Sequence, residues 1–195
     1  MLNAQSVPQN VPAWVIELDR KGTAYHEAGH FVAARHFKIP VSARFWPEDD
    51  PKTGHKVFRG EMQFLGYTPL SPFRRAVICW AGPVAEQLVA NAVADIPMAR
   101  LLPEHVGTLS LSAFREQLED IMDYLLDQME EDISETDWQG IRGHPCMFRT
   151  LKTAANIIIK RYGEVEWVAQ AFLGERVGYK RYVEWVGGRR PTQVL

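Results

Sequence analysis

The sequence predicts an α+β fold, mostly α-helical, with one small β-sheet. Three observations lead there. Much of the chain carries apolar residues at helical spacing, as in Phe114, Leu118, Ile121, Met122, Leu125 and Met129. A single region, residues 41–67, is β-prone, and turn signals bound and divide it. The helix ahead of that region carries His26-Glu27-Ala28-Gly29-His30, whose two histidines are four apart and so share one helical face.

Length and composition set the frame. The 195 residues, at a formal net charge of −2, suffice for one domain with a real core. Hydrophobic residues at 46% and charged residues at 24% are ordinary for a globular protein. The near-neutral balance gives no basic surface for nucleic acid. Cys79 and Cys146 form no CxxC pattern and read as reduced thiols of a cytoplasmic protein. The longest apolar stretch, Ala76 to Ala85, is too short to span a bilayer, so no membrane segment is expected. A signal peptide and a Walker-type glycine loop are both absent from the expectation.

The elements follow in order. Residues 1–19 read as an N-terminal arm, with Trp14, Val15, Ile16 and Leu18 available to dock it. The motif helix runs from about Thr23, a plausible N-cap, to Phe37, and Ile39-Pro40 ends it. Val41 to Trp46 reads as a strand, Glu48-Asp49-Asp50 as a solvated loop, and Lys56 to Tyr67 as a strand with bulges at Gly60 and Gly66. Ser71 to Val93 is helical, with Gly82-Pro83 expected to kink it or restart it. Residues 94–110 read as a loop and Leu111 to Asp132 as one amphipathic helix. Further helices follow from Ser134, from Phe148 to Tyr162 and from Glu164 to Leu173. Residues 20–173 then form the main domain. Residues 174–195, aromatic and basic, form a C-terminal extension that is either docked or mobile.

The chemistry centres on the motif helix. His26 and His30 have the spacing with which two imidazoles grip one zinc ion. Glu27 follows the first histidine, in the position of a general base beside the metal's open site. Two surface histidines and a solvated glutamate would be the plain alternative. Against it, the flanks Tyr25, Phe31, Val32, Ala33 and Ala34 mark a mostly buried helix, where a glutamate needs a partner. Gly29 costs about 1 kcal/mol against Ala inside a helix, which suggests a close neighbour there. His36, His55, His105 and His144 lack ligand spacing.

Several pieces also line up in order with a known family. Ala24-Tyr25-His26-Glu27-Ala28-Gly29-His30 resembles the motif helix of the peptidase domain of FtsH-type AAA proteases. Gly60 to Thr68 resembles that family's strand beside the active site, and Arg75 to Glu86 its following helix, with Pro83 where arginine is usual. The resemblance spans about residues 20–160. It implies a zincin-like metallopeptidase domain, a Zn2+ cofactor and a polypeptide substrate. It also implies a third metal ligand, an aspartate on a later helix, best matched by Asp137 in Thr136-Asp137-Trp138. Ser134-x-x-Asp137 is equally a capping-box pattern, so a cap is the competing role. Glu86 is the rival third ligand and otherwise a candidate to orient a ligand imidazole. Gly66, Tyr67 and Thr68 are the expected substrate-binding stretch, pairing with an extended chain by strand addition.

The functional expectation is a zinc-dependent metalloendopeptidase acting on unfolded or extended polypeptides without its own ATPase. A zincin-fold regulatory or binding module that keeps the metal but turns over little is the alternative, and a metal-free helical interaction domain is the third. A separate ATPase, a regulatory partner and a homo-oligomer are left open.

Overall fold

The computed structural model describes residues 11–51, 54–66, 69–94, 96–97, 100–127, 133–142, 144–174, 181–185 and 192–194. The elements, in order, are α1 (Ala13–His36), β1 (Val41–Asp49), β2 (Lys56–Phe64), α2 (Pro72–Ala90), a 3-10 turn (Pro103–His105), α3 (Leu111–Glu116), α4 (Leu118–Asp127), α5 (Glu135–Arg142), α6 (Met147–Lys160), α7 (Tyr162–Leu173), β3 (Arg181–Trp185) and β4 (Thr192–Val194). The protein is thus mostly helical with one small antiparallel sheet, ordered β2-β1-β3-β4. No helix among the described residues is long and apolar enough to cross a membrane.

Helix α1 is longer than its sequence signals suggest. It starts at Ala13, directly after Pro12, so Thr23 lies inside it and the expected arm is helical from there on. A proline disfavours helical backbone in the residue before it but not in those after, which makes Pro12 the start signal. Glu17 then meets Arg20 and Lys21 one turn on, half-buried pairs that support the helix start.

The two long helices α1 and α2 pack along each other, and this pairing forms the centre of the core. A Cβ placed on Gly29 would collide with the Ala81 carbonyl oxygen and lie 2.7 Å from the Ala85 Cβ. Gly29 therefore sets how closely the two helix backbones approach. Pro83 neither ends nor restarts α2, which runs through it. Ala81 to Ala85 are all buried there, so packing on α1 outweighs the one lost backbone hydrogen bond. Ser71 caps the helix, its hydroxyl accepting from the Arg74 N–H at 3.3 Å.

The β-region also departs from expectation. Strand β1 continues through Glu48 and Asp49, the residues expected in a loop; they stay solvent-exposed, and Lys56 and Arg59 on β2 meet them across the ladder. The register from Val41 opposite Phe64 to Asp49 opposite Lys56 is unbroken, so Gly60 sits in a regular strand and not in a bulge. The single helix expected over Leu111 to Asp132 is two, α3 and α4, with Gln117 as the turn between them; residues 128–132 fall outside the described residues. The C-terminal extension enters the sheet: β3 pairs with β1, and β4 pairs with β3. Strand β2 is left at the sheet's end.

Candidate metal centre

Two helices supply the converging side chains. Helix α1 supplies His26 and His30 one turn apart, and α5 supplies Asp137 from its first turn. The ring nitrogens and carboxylate oxygens of His26, His30 and Asp137 converge within 4.8 Å of one another, a group that can hold a metal ion. His26 Nε2 lies 3.2 Å from Asp137 Oδ2, His30 Nε2 lies 3.3 Å from Asp137 Oδ1, and the two Nε2 atoms are 3.0 Å apart.

The far side of each ring fixes which nitrogen points inward. His30 Nδ1 donates to the backbone oxygen of Ile78 on α2 at 2.7 Å. A carbonyl only accepts, so Nδ1 carries the proton and Nε2 of the neutral ring presents a lone pair. His26 Nδ1 meets Glu86 Oε2 at 2.8 Å in the same way. Glu86 therefore contacts a ligand imidazole from behind and is not one of the converging groups, which favours its orienting role over that of a rival ligand.

Asp137 is held by its own helix start. The Ser134 hydroxyl donates to Asp137 Oδ2 at 2.8 Å and accepts from the Asp137 backbone N–H at 3.2 Å. The two expected roles of this stretch, cap and convergence on the histidines, thus coexist: Ser134 caps, and the aspartate carboxylate it holds through Oδ2 also faces the two histidines. Asp137 is 7% exposed, so an unpaired charge there would be costly.

The electrostatics of the cluster follow from that burial. For His26, burial favours the neutral ring, but hydrogen bonds to Asp137 and Glu86 outweigh it and raise the pKa well above the ordinary value. His30 is opposed by burial in the same way and raised by the Asp137 charge. Burial works against the Asp137 carboxylate, yet the His30 charge and the histidine hydrogen bonds win and hold its pKa well below the usual range. The pocket is a field that favours positive charge between these three side chains. A divalent cation satisfies it with both rings neutral.

Glu27 completes the arrangement. It is 7% exposed, and its Oε2 is buried without a hydrogen-bond partner, a condition few native carboxylates tolerate. Desolvation raises its pKa, moderated by the two histidines. An orphaned carboxylate oxygen beside two imidazoles and an aspartate calls for a polar occupant, and a coordinated water on a bound cation meets that need.

Two glycines make the space. A Cβ on Gly82 of α2 would collide with the His30 ring and lie 2.8 Å from His26 Nε2. A Cβ on Gly60 of β2 would collide with the Glu27 side chain. The resemblance sets the stretch Gly60 to Thr68 beside the site and Arg75 to Glu86 in the helix that follows, but Gly60, Gly82 and the Ile78 carbonyl are not singled out within them. The local signal is a glycine in the middle of a helix and another in the middle of a strand, both unfavourable locally.

The four polar side chains open into a cavity of about 840 Å³. Gly60, Met62 and Phe64 of β2 line one part of it; Ile78 and Cys79 of α2 and residues of α5 line another. Burial pushes the Cys79 thiol up to about 12, and Cys79 lines the cavity without being one of the converging groups. Of the expected substrate-binding stretch, Gly66 follows β2 with φ 81° and is not among the cavity's lining residues. Tyr67 and Thr68 lie outside the described residues. No protein-family model matches the chain, and no curated protein matches it in sequence.

Proposed function

We propose that the chain is a zinc-dependent metalloendopeptidase of extended polypeptides, resembling the peptidase domain of FtsH-type proteases, with a zincin-like fold. The observation that carries this reading is the convergence of His26, His30 and Asp137 beside a buried Glu27 oxygen that has no partner. Two neutral imidazoles and one carboxylate are a donor set typical of catalytic zinc, which keeps a fourth position open. Zinc bound there would supply Lewis acidity toward a water and toward the scissile carbonyl oxygen.

The chain's own residues do the rest. Glu27, with its pKa raised toward the working range by burial, accepts the proton of the attacking water and returns it to the leaving amine. His30 and His26 are kept in one orientation by Ile78 and Glu86 throughout. Strand β2 offers the substrate its backbone. The Phe58 N–H already points away from β1, where it donates to Asp19 Oδ2 at 2.8 Å. Strand alternation then turns the N–H and C=O of Gly60, Met62 and Phe64 to the same free edge, beside Glu27. An extended peptide adding to that edge would run past the metal group.

The experiment compares wild type with Glu27→Gln on a loosely folded protein such as casein. Glutamine keeps the shape but cannot take the proton, so zinc content should be equal and cleavage should fall by about 10²-fold or more. Zinc-loaded wild type that leaves casein and unstructured peptides uncut would contradict the peptidase reading and favour a metal-binding module without turnover.

A further inference from the structure

The cavity has a charge pattern that the metal group does not use. Arg75 from the first turn of α2 and Arg142 from the last turn of α5 both line it, and both are exposed. The Arg75 Cγ lies 3.6 Å from where a Cβ on Gly140 would be, so Arg75 packs on the turn of α5 just ahead of Arg142. Neither guanidinium forms an ion pair with a described residue. By contrast Arg20, Arg35, Arg44, Arg59 and Arg161 each meet a carboxylate.

The described negative groups of the cavity are accounted for. Glu61 is paired with Arg44 across the β1–β2 ladder. Asp137 and Glu27 together offset one divalent cation in charge. With the cation in place, the two arginines remain as the uncompensated charge among the described residues of the cleft. Helix α5 packs on α2, while β2 packs on α1, so the arginines belong to the α2–α5 side and the free backbone edge to the β2 side.

We infer that Arg75 and Arg142 select substrates, by binding a carboxylate of an extended polypeptide whose backbone lies along β2. The inference rests on the reading of the site as a peptidase centre and names its preferred substrate class, acidic segments. A guanidinium presents paired N–H donors in the plane a carboxylate matches, which makes it a selective group and not only a positive one. The carboxylate can come from an Asp or Glu side chain or from the free end of a peptide.

The test uses zinc-loaded Glu27→Gln protein and fluorescently labelled unstructured peptides. The peptides differ only in Glu against Gln at matched positions, and each is made with a free and with an amidated C-terminus. Fluorescence anisotropy should show the Glu peptides binding about threefold tighter or more, the scale of a partly exposed ion pair, with the margin shrinking as salt rises. Adding Arg75→Gln and Arg142→Gln should erase the margin while zinc content and melting curve stay the same. A margin seen only with free C-termini would identify the chain end as the bound carboxylate. Equal affinities, a margin that survives the double substitution, or no binding of either peptide would overturn the inference. Cleavage of the same peptides by wild type is scored separately. Selective binding without cleavage sinks the peptidase reading and keeps the carboxylate site; cleavage without selectivity does the reverse.

Discussion

At the scale of single residues, the site depends on what is missing from Gly82 as much as on what His26 and His30 present. Alanine at position 82 would be favoured by helix propensity by about 1 kcal/mol. Its methyl, however, would occupy the space of the His30 ring. The ring cannot retreat without breaking its 2.7 Å bond to the Ile78 oxygen. We therefore expect Gly82→Ala to keep the fold and lose zinc affinity by roughly 10- to 100-fold, the range seen when ligand orientation is disturbed. Competition against a chromophoric chelator measures this, and unchanged affinity would mean the rings are not held as described. The ligating and catalytic candidates were legible because their chemistry is local: His26, Glu27 and His30 lie within one helical turn, where spacing alone sets the geometry. Asp137 was legible only through resemblance, since nothing local ties residue 137 to residue 26. Gly60, Gly82 and the Ile78 carbonyl were not legible as site parts, because their roles exist only once α1, α2 and β2 are in contact.

At the scale of elements, the close pairing of α1 and α2 positions both imidazoles. Gly29 faces the α2 backbone at Ala81, and a carbonyl has no rotamer with which to yield. Gly29→Ala gains about 1 kcal/mol in helix propensity but forces the helices apart, an overpacking cost of about 1–3 kcal/mol. The balance falls on the destabilising side, and thermal unfolding should show a lower midpoint together with weaker zinc binding. A higher midpoint would show that the helix contact is softer than it looks. The elements missed by sequence reasoning failed for identifiable causes. Thr23 imitates a helix start, yet the helix had already begun after Pro12. Gly82-Pro83 imitates a break, yet burial on all sides holds α2 together. Glu48-Asp49 imitates a loop, yet Arg59 and Lys56 across the ladder complete a strand. In the last two cases a tertiary contact overrode a local preference; in the first an earlier local signal, Pro12, had already started the helix.

At the scale of the whole molecule, the metal group joins α1 to α5, segments more than a hundred residues apart in the chain. Zinc bound there would favour the folded state, because the unfolded chain has no preformed site, so binding would add to stability. With free zinc about 100-fold above the dissociation constant, the gain is about 2.7 kcal/mol. For a domain of this size that corresponds to a melting midpoint raised by roughly 5–10 °C, and chelation should remove it. The class of fold was readable from helical periodicity and the single β-prone stretch. The sheet's end-strand position for β2 was not, because it depends on β3 joining β1 from the far end of the sequence. The central claim is that His26, His30 and Asp137 hold the ion while Glu27 does not. The most direct measurement is the zinc content of untagged, dialysed protein for wild type, Glu27→Gln and Asp137→Ala. We expect stoichiometric zinc in the first two and loss of most of it in the third, with the Asp137→Ala protein still folded by circular dichroism. Full zinc retained in Asp137→Ala, or zinc lost in Glu27→Gln, would contradict it.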